Sequence, residues 1–146
     1  MTTDPYSRQL IKTDFFHAKR DLPTRVAVVL DGHLENRNLH LIQPLSRAFS
    51  EKTIIELITT DDQQAQPGTV VQPIAYLAFV ELQRSGVILV GDTVEWNGKI
   101  IGTIAGYDDT HMPNHQNVIV SVPKRISGKE LGLQMEDTIT IKGFQK

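Results

Sequence analysis

No cysteine occurs among the 146 residues. Disulfides, thiolate nucleophiles and cysteine-held zinc or iron–sulfur centres are therefore excluded, and the composition suits a reducing, cytoplasmic setting. Charge of one sign is also scarce. The 15 Lys and Arg against 17 Asp and Glu give a formal −2, too near balance to attract nucleic acid or an anionic membrane. Lys19, Arg20 and Arg25 are the one candidate basic patch. No apolar run reaches the roughly 18 residues a membrane helix needs, and the Met-Thr-Thr-Asp-Pro-Tyr-Ser start lacks the basic-then-apolar order of a secretion signal. There is no phosphate-binding glycine loop, no Gly-x-Ser-x-Gly elbow and no dinucleotide fingerprint, so nucleotide-dependent enzymes are not expected. What remains is an ordinary globular composition, 40% hydrophobic and 22% charged, at a length that predicts one domain over 1–146.

Along the chain, residues 1–8 are polar and expected to be flexible, and Leu10 to Phe16 reads as a short strand. Pro23 predicts an extended entry into a β-branched run, Arg25 to Leu30, that ends on the turn pair Asp31-Gly32. His33 to Ile42 contains a second turn at Glu35-Asn36-Arg37-Asn38. Leu45 to Lys52 is expected to form a helical turn and Thr53 to Thr59 a strand, with Glu56 alone among Ile54, Ile55, Leu57 and Ile58. Asp61 to Gly68 reads as a long surface loop. Residues 73–84 fit both periods: Ile74, Leu77, Ala78 and Leu82 share a helical face, while Ile74, Tyr76, Ala78, Val80 and Leu82 alternate. The proline at the start and Gly86 past the end favour the helix.

The second half is plainer. Gly91-Asp92-Thr93-Val94-Glu95-Trp96-Asn97-Gly98 returns in weaker form as Glu136-Asp137-Thr138-Ile139-Thr140-Ile141-Lys142-Gly143, a turn-forming aspartate before an alternating strand each time. Asn97-Gly98 predicts a type I′ hairpin between Thr93–Trp96 and Lys99–Ala105. Val118 to Val122 and Thr138 to Ile141 are further strands, with a short helix or turn over Ser127 to Leu133. Asp92 and Asp137 are expected to brace turns, and Trp96 to pack in the core or at a contact between subunits. The fold class that follows is mainly β, a small barrel-like domain of short antiparallel strands with one or two short helices, because closure removes exposed sheet edges.

Leu131-Gly132-Leu133-Gln134-Met135-Glu136-Asp137-Thr138-Ile139 resembles a signature shared by small barrels of double-psi and swapped-hairpin type, which implies the barrel and no activity. Over Val87 to Val122, the hairpin, the Gly-Thr-Ile-Ala-Gly segment and a polar loop before a strand are similar to the IIA component of the glucitol/sorbitol phosphotransferase system. That resemblance implies a phosphate-accepting histidine. His115 lies at a comparable place, but its Asn-His-Gln-Asn setting differs and the upstream histidine motif is missing, so phosphocarrier chemistry is not carried over. The chain as a whole resembles an uncharacterised bacterial family of small barrels.

Candidate chemistry gathers in Tyr107 to Asn117, a polar stretch between two apolar runs. His111 and His115 are four apart, which on a helix would share a face; Pro113 between them argues against a helix, yet on a loop they could converge. With Asp108 they form a possible divalent metal site, zinc for example. Without a metal, His115 or His111 could act as a general base oriented by Asp109 or Asp108. Asn114 and Asn117 are candidate ligand-binding residues, joined by His33 if the Asp31-Gly32 turn faces the loop. An exposed, merely solvated connection uses the same residue types. The resulting expectation is a small binding or accessory module for a polar ligand or metal at 107–117. The alternatives are a hydrolase, lyase or isomerase with a His/Asp pair, and a structural subunit of a homo-oligomer built on Trp96 and the apolar residues of 74–82.

Overall fold

The structure is a computed structural model that describes residues 15–143. The expected flexibility of 1–8 and most of the strand expected over Leu10–Phe16 lie outside those residues. In chain order the elements are β1 (Leu22–Val29), β2 (His33–Leu34), β3 (Leu39–His40), β4 (Ser46–Phe49), β5 (Ile54–Thr60), β6 (Val70–Val71), β7 (Ile74–Leu82), β8 (Gly86–Leu89), β9 (Thr93–Trp96), β10 (Lys99–Asp108), β11 (Gln116–Ser121), α1 (Gly128–Leu131) and β12 (Thr138–Lys142).

Seven strands close into a barrel in the order β1-β12-β9-β10-β11-β5-β7, with β7 returning to β1 and β2 added beside β7. The mainly β barrel is thus as the sequence predicts, with one departure: β11 and β5 run parallel, Val118 beside Leu57. A parallel neighbour requires a long return path, and here the chain between β5 and β11 supplies it through β6 to β10. No helix among the described residues is long and apolar enough to cross a membrane.

The local turn chemistry behaves as read. Asn97 and Gly98 both have positive φ, 53° and 73°, the requirement of a type I′ turn. The two repeated units pair with each other, β9 antiparallel to β12 with Val94 opposite Ile141. Each aspartate braces its turn. Asp92 accepts from the Leu89 N–H and from Lys19 Nζ at 2.6 Å, and burial pushes its carboxyl up against those two partners. Asp137 accepts from the Gln134 N–H at 2.8 Å and from the Trp96 indole at 3.0 Å. Lys19 is thereby occupied, Arg20 points to the Ser85 carbonyl and Arg25 to Glu136, so the three do not converge as an anion patch. At α1, Ser127 and Glu130 form a reciprocal capping box and Gly132 closes the turn at φ 90°, as the short helix over Ser127–Leu133 requires.

Two helical expectations are corrected. Leu45–Lys52 contains strand β4, which hydrogen-bonds to β8 from Ser46 opposite Leu89 to Phe49 opposite Gly86. Residues 73–84 contain β7, paired with β5 along one edge and with β1 and β2 along the other. Both of its faces are covered and a bulge at Leu77 shifts the register, Leu57 standing opposite Ala78 and Ile58 opposite Tyr76. Apolar residues of both parities plus one extra residue imitate a helical stripe. An isolated helix of this length would be marginal, whereas a strand with two neighbours satisfies its backbone along both edges.

The covering of both faces divides the core in two. Leu57, Val80, Val94, Ile104, Val118 and Ile139 fill the barrel interior, one from each of six strands. On the outside of the wall a second cluster joins Ile58, Ile119 and Ile74 to Leu39 and Val71 of the small two-stranded β3/β6 sheet and to Leu41 just after β3. Of the apolar residues of 74–82 expected at a subunit contact, all but the half-buried Tyr76 and Phe79 are buried within this chain, and Trp96 packs partly against the interior.

Candidate outer-wall His–Glu site

The β10–β11 connection is built on Asp108. Its carboxylate accepts from the His40 N–H at 2.9 Å, the Thr110 N–H at 2.8 Å and Asn117 Nδ2 at 3.1 Å. Burial pulls its carboxyl upward, but hydrogen bonds from Thr110, His40 and Asn117 outweigh it and hold the group below the ordinary carboxylate range. Asp109 accepts from Gln116 Nε2 at 2.7 Å, and the same amide donates to the Asp108 carbonyl. Both aspartates named from the sequence therefore tie the loop to the barrel.

Because the folded carboxyl of Asp108 titrates below its unfolded value, its stabilisation is complete above the unfolded value of about 3.9 and is lost as pH falls through the folded one. Asp108→Ala is expected to cost about 2–3 kcal/mol at pH 7, since two backbone donors and an amide lose a charged acceptor. It should also flatten the acid limb. Urea unfolding of both proteins at pH 7 and pH 3 measures this; equal acid sensitivity would assign that limb to other groups.

Between these anchors the chain makes two overlapping tight turns. The Met112 N–H donates to the Asp109 carbonyl, and the Asn114 and His115 N–H groups donate to the His111 carbonyl at 2.9 and 3.3 Å. The last is an i to i+4 bond, so His111 and His115 reach one side without a helix, and Pro113 sits where no N–H is needed. Their rings lie 5.0 Å apart, tilted by 33°.

The carboxylate facing them is Glu56 of β5. His115 Nε2 stands 3.1 Å from Glu56 Oε1, with side chains only 14% and 8% exposed, and His115 Nδ1 faces Asn114 Oδ1 at 2.7 Å. Phe79, opposite Glu56 on β7, presents its ring edge-on to His115 at 5.0 Å. Ligand atoms of Glu56, His111 and His115 all fall within 4.8 Å of one another. Asn117 lies beside Glu56 in the β11–β5 register, and its buried Oδ1 accepts no hydrogen bond from the described residues. Arg37 donates from Nη2 to His111 Nε2 at 3.3 Å and from Nε to the Tyr76 hydroxyl at 3.2 Å. A groove of about 280 Å³ leads away from His115, with Arg47, Phe49, Ile54 and Pro113 in its walls.

Glu56 alternates with Ile55 and Leu57, which point into the barrel, and so lies on the outer face. The cluster is thus on the outer wall, under a loop folded back from the barrel end, rather than in the barrel mouth. His33 is elsewhere: it contacts Glu130 at 2.6 Å, and that ring, with the Ser127 N–H, draws the Glu130 carboxyl down to about 2. The sequence reading passed over Glu56, although a lone carboxylate inside Ile-Ile-Glu-Leu-Ile was a signal: a buried charge is costly unless something uses it. Arg37 carried no signal beyond its place in a turn.

Among known proteins, residues 16–142 match the family described as "Family of unknown function (DUF6917)". No similarity to a glucitol/sorbitol phosphotransferase IIA component is shown. No curated protein and no solved structure matches the chain.

Proposed function

The chain belongs to the DUF6917 family of unknown function, and from that premise we propose that it is a β-barrel binding module holding a divalent transition-metal ion on His115, His111 and Glu56. The observation that carries this reading is the 3.1 Å approach of His115 Nε2 to the buried Glu56 carboxylate, with His111 beside it. Bonds of about 2.0–2.1 Å in a tetrahedral shell place neighbouring ligand atoms about 3.3 Å apart, so an ion fits between these two atoms with little movement. Asn114 Oδ1 holds the opposite ring nitrogen of His115, the usual way a protein fixes the tautomer of a metal-binding imidazole. His111 completes the set by turning on its exposed loop. Two imidazoles and one carboxylate suit zinc, and leave a position open for a small polar ligand or a water molecule.

Protein purified without a histidine tag or chelator is expected to bind one zinc ion. At a hundredfold excess over Kd the ion adds about 2.7 kcal/mol, a rise of roughly 8 °C in Tm at this length. The His111→Ala/His115→Ala double variant should show no rise. Absence of both bound metal and a Tm shift in the unaltered protein would overturn the proposal. The same 3.1 Å contact then favours a second reading, in which Glu56 orients His115 as a metal-free general base.

A further inference from the structure

Arginine only donates hydrogen bonds, so in its contact with His111 the ring nitrogen Nε2 must be the acceptor. A neutral imidazole has one such lone pair. A metal bound through Nε2 takes it directly; a metal bound through Nδ1 moves the ring proton to Nε2, which then cannot accept. Either way, loading the site breaks the 3.3 Å contact between Arg37 Nη2 and His111, while Nε remains on the Tyr76 hydroxyl. The guanidinium is then held beside a divalent ion with Nη2 released. Its side-chain partners here are an imidazole and a phenol hydroxyl, and no carboxylate pairs with it among the described residues.

We infer that the ligand of the loaded site is a small organic oxyanion, which places one oxygen on the metal and another on Arg37. The inference rests on the metal reading above and supplies its ligand class. The bridging geometry suits a carboxylate or a phosphate group, both of which match the planar fork of arginine. A second cation supports the choice. Arg47 lines the groove that starts at His115, again without a carboxylate partner among the described residues, and Phe49, Ile54 and Pro113 give that groove apolar walls for an organic body. In a chain of net charge −2, two arginines without acidic partners among the described residues thus stand near the cluster, Arg37 at His111 and Arg47 in the groove at His115. Metal and anion binding are then coupled, and each tightens the other by the same factor.

The test uses the full chain loaded with cobalt(II), whose visible spectrum reports its ligands, titrated with inorganic phosphate and with benzoate. Saturable spectral shifts are expected, with affinity for the apo protein weaker by about tenfold or more. Stronger binding of benzoate assigns the ligand to organic carboxylates; stronger binding of phosphate assigns it to phosphate groups. Arg37→Gln should keep stoichiometric cobalt and bind it roughly two- to tenfold more tightly, since a competing hydrogen bond is gone. The same variant should lose about tenfold or more in anion affinity, with Arg37→Lys recovering only part. Bound cobalt with a spectrum indifferent to both anions, or anion affinity unchanged in Arg37→Gln, overturns this inference alone. Failure to bind cobalt overturns the metal reading and this inference with it.

Discussion

Replacing Glu56 with leucine is expected to lower zinc affinity by about a hundredfold or more and, measured without metal, to leave the protein as stable as before or more stable. A carboxylate with 8% of its side chain exposed has lost most of its hydration. Attraction to a single imidazole rarely offsets that loss, and an imidazole, unlike an arginine, can shed its charge when its partner is removed, so the cost of stranding a buried charge is avoided. Leucine would sit between Phe79 and the outer cluster around Ile58, while His115 keeps its hydrogen bond to Asn114. Glu56→Gln, which preserves shape and a hydrogen bond to the ring, should also lose most metal affinity. Urea unfolding with and without zinc separates the two quantities. A fall of about 3–5 kcal/mol in the absence of metal would instead mark Glu56 as a structural partner of His115.

A larger loss of stability is expected from a residue far from the site. Gly128→Ala should cost about 3 kcal/mol, because a Cβ there would stand 2.1 Å from the Leu77 carbonyl oxygen and 3.0 Å from that of Leu30. Neither oxygen can move freely. Leu77 accepts from the Leu30 N–H at the β7 bulge, and Leu30 accepts from the Lys129 N–H at the start of α1. The methyl group must therefore push α1 off the barrel or break one of these bonds. Lys129→Ala, on an exposed position of the same turn, should stay within about 0.5 kcal/mol of the unaltered protein. Thermal unfolding reads the difference as a drop of roughly 9 °C; an unchanged Tm in Gly128→Ala would show that α1 is not pinned against β7.

These two positions mark where the sequence was legible and where it was not. The Asn97-Gly98 hairpin, the capping box at Ser127 and the braced turns at Asp92 and Asp137 are local chemistry, complete within a few residues. So is the alternation that makes β9, β10 and β12 strands, and with them the mainly β barrel. The helix read over 73–84 failed for a reason outside its own window: β7 is apolar on both faces because the outer cluster covers what the barrel interior does not. Asp108 and Asp109 looked like partners of the histidines because they are near in sequence, but Asp108 is taken up by the Thr110 and His40 N–H groups and Asp109 by the Gln116 side-chain amide.

Glu56 reaches His115 across 59 positions, through the parallel pairing that sets Asn117 of β11 beside Glu56 of β5. A slip of one residue in that register would turn Glu56 into the barrel and Leu57 out toward the loop. The sequence by itself determined the strands of the second half, the turns and the polar loop with its two histidines, because these follow from the preferences of adjacent residues. Only the tertiary structure decided which carboxylate and which arginine face those histidines, because strand register and the closing of the barrel bring them together from segments that share no local pattern.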